Sequence, residues 1–175
     1  IGAMGVEIQS LVQMLENRET VTVSGIEYAK GTIHNREVVL AVCGIGKVFA
    51  AVCAQTMILK FAPDVIINTG VAGTLTESLT IGDIAVSENV AQHDMDTTAL
   101  GDPAGLLSGI NIIKIPADKA TRLLLVDCIK QLGVNYRTGT ICSGDQFLAS
   151  QEVKSRIVKN FDAIAGEMEG GAIGQ

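Results

Sequence analysis

The sequence predicts an α/β domain in which helices cover both faces of one mixed sheet, a three-layer αβα sandwich. Three observations point there. After an early meander of strands, helix-spaced segments alternate with short apolar ones. Val65-Ile66-Ile67-Asn68 is a continuously apolar run of the kind that sheets bury on both faces. Glycine-containing turns stand between successive elements, at Gly44, Gly70, Gly144 and Gly166. In such sheets a ligand sits where loops leave the carboxyl ends of the strands.

The elements follow in order. Ile1-Gly2-Ala3-Met4 reads as the end of a buried strand entering a turn. Ile8, Leu11, Val12 and Leu15 fall at i, i+3, i+4 and i+7, which predicts an amphipathic helix over roughly 5–17. Strands are predicted at 20–24, 26–33 and 37–43, separated by Gly25 and by the turn His34-Asn35-Arg36. Gly44-Ile45-Gly46-Lys47 marks a change to a helix over 47–61. The apolar strand 65–68 leads into the small-residue loop 70–74, then a strand over 81–90 and a loop-rich stretch over 92–111. Leu123, Val126 and Ile129 give a face to a helix over 119–132, with Gly133 as its stop. A strand is expected at 136–142. Ser150 stands as N-cap of a further helix, and Ala163-Ile164-Ala165 is a short strand leading into Gly166-Glu167-Met168-Glu169-Gly170. Residues 168–175 read as the start of a helix. The expectation is a single domain over 1–175, incomplete at both ends.

Composition excludes several functions. The 175 residues suffice for a real core, and 47 % hydrophobic with 18 % charged residues excludes a disordered chain. Lysine plus arginine number 13 against 19 acidic residues, a net charge of −6, and the cations are scattered. Nothing here could neutralise a run of phosphates, so no nucleic-acid partner is expected. The most apolar stretch, 48–62, is interrupted by Gln55 and Lys60 and falls short of the ~20 apolar residues of a membrane span. No secretory leader is expected either. Cys43, Cys53, Cys128 and Cys142 lack CxxC spacing, and only His34 and His93 could assist them, so neither zinc nor a disulfide framework is expected. Four thiols suggest a reducing cytoplasm.

Several residues could carry chemistry, each with a plainer reading beside it. Glu7 follows the opening strand at a helix start, where any carboxylate meets a favourable dipole. Glu167-Met168-Glu169 places two carboxylates beside a strand end and glycines. Carboxylates suit vicinal sugar hydroxyls, while an exposed acidic turn is the bland account. Gly44-Ile45-Gly46-Lys47 lacks the Walker spacing and reads locally as a tight turn. Gly70-Val71-Ala72-Gly73 could present bare amides or simply turn the chain. Phe147, in Ser143-Gly144-Asp145-Gln146-Phe147, could stack on a heterocycle or pack. His93-Asp94-Met95-Asp96 has metal-binding residue types, but consecutive side chains rarely converge on one point.

The combination is more specific than its parts. Ile1-Gly2-Ala3-Met4 with Glu7, Gly44-Ile45-Gly46-Lys47, Asn68-Thr69-Gly70-Val71-Ala72-Gly73, Gly82-Asp83-Ile84, His93-Asp94-Met95-Asp96, Ser143-Gly144-Asp145 with Phe147, and Glu167-Met168-Glu169 occur in this order. Together they resemble the bacterial 5′-methylthioadenosine/S-adenosylhomocysteine nucleosidases, of the nucleoside phosphorylase-like superfamily, across essentially the whole chain. The resemblance implies that fold, and hydrolysis of an N-glycosidic bond to release adenine and a thioribose without metal or organic cofactor. It implies that Glu7 activates the attacking water, that Glu169 grips the ribose hydroxyls and that Glu167 is among the substrate-binding residues. Met168 then packs beneath the sugar, Phe147 stacks on adenine and the Leu148 backbone reads the adenine edge. Val71, Ala72 and Gly73 line the purine and ribose side, Met4 is among the substrate-binding residues, and Ile45 lies near the alkylthio group. It also implies a homodimer, closed in part by residues 93–101.

The chain departs from the family pattern at Leu100, where an aromatic residue is common, and at Gly5 and Val6, which replace acidic residues. The family's purine-protonating aspartate lies beyond Glu-Met-Glu in a Ser-Asp motif that these 175 residues do not include, so the expectation is that this chain alone turns over little or nothing. Two alternatives stand beside hydrolysis. A purine nucleoside phosphorylase needs a cationic phosphate site, and residues 2–17 hold no lysine or arginine. A noncatalytic adenosine-binding fragment would bind without turnover.

Overall fold

The computed structural model describes residues 1–175, which divide after Val71 into two units, Ile1–Val71 and Ala72–Gln175. In the first, α1 (Gly5–Gln13) is followed by β1 (Glu16–Val23), β2 (Ile26–Ile33) and β3 (Arg36–Ala41), an antiparallel sheet in that order, and then by α2 (Lys47–Phe61). On β2, Ile26 and Tyr28 are buried on one face and Ala29 on the other. On α2, Ala50, Cys53, Ala54 and Met57 are buried at i, i+3, i+4 and i+7. The Tyr28 ring lies 5.5 Å from that of Phe61, and its hydroxyl donates to the Cys53 carbonyl at 3.5 Å. The opening residues extend this unit: Gly2 N–H donates to Ala41 O at 3.1 Å and Cys43 N–H to Gly2 O at 2.9 Å, a parallel bridge beside β3.

Three boundaries differ from expectation here. The first helix ends at Gln13, and β1 begins four residues before the expected strand. Glu16 pairs with Thr32, Arg18 bridges to Glu27 at 2.9 Å, and Leu15 packs against the bare Cα of Gly31. Sheet pairing therefore takes the residues whose spacing had suggested a further helical turn. The third strand ends at Ala41 rather than 43. Residues 65–68 form no strand: Val65 and Ile67 are about half exposed. Ile1 donates to Ile67 O at 2.8 Å and accepts from Thr69 N–H at 3.0 Å.

The second unit carries β4 (Gly73–Thr74), β5 (Ile84–Gln92), β6 (Ile115–Pro116), α3 (Lys119–Leu132), β7 (Tyr136–Ser143), α4 (Gln151–Phe161), β8 (Ala163–Glu167) and α5 (Gly170–Gly174). Its sheet runs β4-β8-β7-β5-β6, parallel across β5, β7 and β8 with antiparallel edges. The α/β class with a mixed sheet holds, while the early meander forms a sheet of its own. Val126 and Ile129 of α3 pack on Val86, and Ile157 and Phe161 of α4 pack on Ala91, Cys142 and Ala163. Leu79, Ile141, Ile164 and Ala165 form a further cluster. Asp118 caps α3 by accepting Thr121 N–H at 2.7 Å, and Ser150 caps α4. β5 starts at Ile84, not 81, because the Thr80 N–H and hydroxyl turn back onto the Asp83 carboxylate at 2.6 and 2.9 Å and leave Ile81 fully exposed. No helix is long and apolar enough to cross a membrane.

Candidate functional site

Glu7 is the third residue of α1, where its carboxylate turns back to the helix start. Oε2 accepts the N–H groups of Ala3 (2.7 Å) and Met4 (2.9 Å), and Oε1 accepts that of Val71 (3.1 Å). A carboxylate offers about four acceptor positions. Three are used, and the fourth, on Oε1, remains for a hydrogen-bond donor such as water. Gly70 makes this possible. A Cβ there would stand 2.7 Å from Oε1 and 3.0 Å from Cδ of Glu7. The bare backbone of residues 69–71 is therefore the wall against which the carboxylate lies. Met4, Glu7 and Val71, each singled out in the sequence, meet at this point. Ile45, half exposed just before α2, follows Gly44, whose N–H donates to Ala3 O at 3.1 Å.

In the second unit the Glu167-Met168-Glu169 segment joins β8 to α5. Glu169 is only 8 % exposed, which excludes the acidic-surface-turn reading. Glu167 accepts the hydroxyl of Ser143 at one carboxylate oxygen, and the N–H groups of Glu169 (2.9 Å) and Gly170 (2.7 Å) at the other. Met168 is half-buried. Gly73 pairs with Gly166, one residue before Glu167, and Ala72 is exposed beside it. Phe147 is 89 % exposed, an apolar ring presented outward rather than packed. Its neighbour Leu148 instead turns its side chain into the cluster under α4.

The other polar groups of this region are engaged separately. Asp94 accepts Asp145 N–H at 2.8 Å, while Asp96 accepts the Thr98 hydroxyl and N–H, which hold its carboxyl below the usual range. The two aspartates thus face different partners. Burial pushes the Cys142 thiol up to about 12, so it stays protonated and inert beside Ser143.

Ser143 and Gly171 are the site residues that the sequence alone does not reveal. Ser143 belongs to a noted motif, yet its pairing with Glu167 depends on a register shift in the β7–β8 ladder between Thr140 and Ile141. Such a bulge changes which side chains share a face, and no local pattern announces it.

Comparison with known proteins accords with this arrangement. The phosphorylase superfamily matches over residues 1–175. The 5′-methylthioadenosine/S-adenosylhomocysteine nucleosidase of Staphylococcus carnosus is 41 % identical over 176 residues, covering all of this chain and 77 % of its own. The crystal structure of the enzyme of that name from Neisseria meningitidis, in complex with methylthio-immucillin-A, superposes with a TM-score of 0.95 at 36 % identity, covering 99 % of this chain and 76 % of its own. The native structure of futalosine hydrolase of Helicobacter pylori gives 0.94 at 33 % identity, covering 99 % and 74 %. The chain therefore belongs to the phosphorylase superfamily and, within it, to the 5′-methylthioadenosine/S-adenosylhomocysteine nucleosidase family.

Proposed function

We propose that this protein hydrolyses the N-glycosidic bond of 5′-methylthioadenosine and S-adenosylhomocysteine, giving adenine and the 5-thioribose product, with the two units working as one nucleosidase domain. The observation that carries the reading is the Glu7 carboxylate, held by three backbone N–H groups with one acceptor position left on Oε1. That position takes a proton of the attacking water as C1′ develops oxocarbenium character. The phosphorylase alternative is disfavoured because Glu7 would repel a phosphate nucleophile, with no cation in residues 2–17 to offset it.

The remaining roles follow from residue chemistry. Glu169 accepts the ribose 2′- and 3′-hydroxyls, bonds that strengthen as the sugar gains positive charge. Met168 lies beneath the sugar. Phe147, exposed in its loop, stacks on adenine, and the Leu148 backbone reads the purine edge. Met4, Val71, Ala72 and Gly73 line the purine and ribose side, and Ile45 faces the 5′-alkylthio group. A second copy of this chain completes the assembly. Val48, Phe49, Val52, Ile58 and Leu59 leave α2 apolar on its outer face, and Leu100 is 83 % exposed in the loop expected to cross the two-fold axis. Four free cysteines fit a reducing cytoplasm.

The test is adenine release by the full-length protein and its Glu7→Gln variant. Loss of about 10²-fold or more in kcat with substrate binding retained is expected. Near-parental turnover by the variant would remove Glu7 from the mechanism.

A further inference from the structure

We infer that Ser143 and Glu167 are a positioning pair that sets Glu169 for the ribose, so that Glu167 acts through Glu169 rather than by touching the sugar. The inference rests on the nucleosidase reading and deepens its sugar-binding half.

The argument begins with hydrogen-bond capacity. Ser143 is fully buried at the end of β7, paired in register with Glu167 at the end of β8. Its hydroxyl has one proton and two lone pairs. Gly171 N–H donates to it at 2.5 Å, so the hydroxyl proton goes to the Glu167 carboxylate. The other oxygen of Glu167 accepts the N–H groups of Glu169 and Gly170, the residues that begin α5. Both oxygens are thus directed at the chain itself. They close the turn from β8 into α5, and Glu169 is the residue held within that turn.

Neighbouring groups enforce the closure. A Cβ on Gly171 would stand 2.9 Å from Ser143 Oγ and 2.9 Å from Cγ of Gln92, so glycine is what lets this amide reach the hydroxyl. Gln92, itself buried, donates through its side-chain amide to Gly171 O at 3.3 Å. The turn is therefore fixed at Glu169, Gly170 and Gly171. Such a backbone holds a carboxylate within the fraction of an ångström that hydroxyl recognition requires.

The test uses the full-length protein with 5′-methylthioadenosine and its 2′,3′-dideoxy analogue, which lacks the hydroxyls Glu169 would grip. Ser143→Ala is expected to lower kcat/KM for the ribonucleoside about tenfold, while the dideoxy analogue changes less than about twofold. Added to Glu169→Gln, Ser143→Ala is expected to cost less than about a further twofold, because both act on one interaction. Glu167→Gln is expected to follow the same pattern, and carries the comparison if the alanine variant does not fold. Equal losses on both substrates would reduce the pair to a purely structural role and overturn the inference. Losses that multiply with Glu169→Gln would overturn it by showing direct contact with the sugar. A parent protein that cleaves neither nucleoside would overturn the nucleosidase reading itself, and this inference with it.

Discussion

Replacing Gly70 with alanine separates the chemistry of Glu7 from the stability of the fold. The added Cβ would stand 2.7 Å from Oε1 of Glu7, against an ordinary contact of about 3.4 Å or more, so the carboxylate must withdraw by roughly 0.7 Å. Gly70 is not among the glycines with positive φ, so alanine fits the backbone there. The clash is with the end of a flexible side chain, and the strain falls on Glu7 rather than on the core. Withdrawal breaks or lengthens the bond from Val71 N–H and misaligns those from Ala3 and Met4. A misplacement near 1 Å costs about 10²-fold in rate. The loss should appear in kcat with KM little changed, since water activation matters in the transition state. Steady-state adenine release measures it, and a thermal melt reports the fold. Glu7→Gln,Gly70→Ala is expected to be no slower than Glu7→Gln alone. A Gly70→Ala enzyme with more than about half the parental kcat, or multiplicative losses in the double variant, would refute the proposed seating of Glu7.

Three further outcomes probe the fold and its electrostatics. Ile157→Ala, at a side chain 1 % exposed between α4 and the sheet, should destabilise by ~2–5 kcal/mol and lower Tm by roughly 2–4 °C for each kcal/mol, as calorimetry would show. Native protein treated with iodoacetamide at pH 8 should take up one adduct at exposed Cys128, with buried Cys43, Cys53 and Cys142 unmodified by mass spectrometry. Asp83 is held below its ordinary value by the Thr80 N–H, then by the Asn135 side chain and the Thr80 hydroxyl. A carboxyl lowered in the folded state stabilises above its unfolded value and loses that contribution as pH falls. Asp83→Asn should therefore be less stable than the parent at pH 7, with the gap narrowing below about pH 3.9 in urea titrations.

Much of this arrangement was legible in the sequence, and the failures have physical causes. The limits of β2, α2 and α3 were read correctly because turns and caps coincide with the hydrophobic pattern at Gly25, Gly46, Asp118 and Gly133. The boundary between α1 and β1 was misplaced because Leu15 satisfies a helical spacing while its backbone neighbours pair with β2. The run at Val65 reads as a buried strand on composition, yet an apolar run does not specify which segments pair with it. Glu7 and Glu169 stood out through their motifs. The commitment of Glu167 to Ser143 did not, because it arises from a register shift and from an amide eight residues beyond Ala163.

The central claim is that water, activated by Glu7, displaces adenine. Full-length protein incubated with 5′-methylthioadenosine in phosphate-free buffer, and again with saturating phosphate, tests it through the mass of the sugar product. The account predicts the same rate of adenine release in both and free 5-methylthioribose as the sole sugar. Adenine release that requires phosphate, with a sugar heavier by one phosphate group, would contradict it.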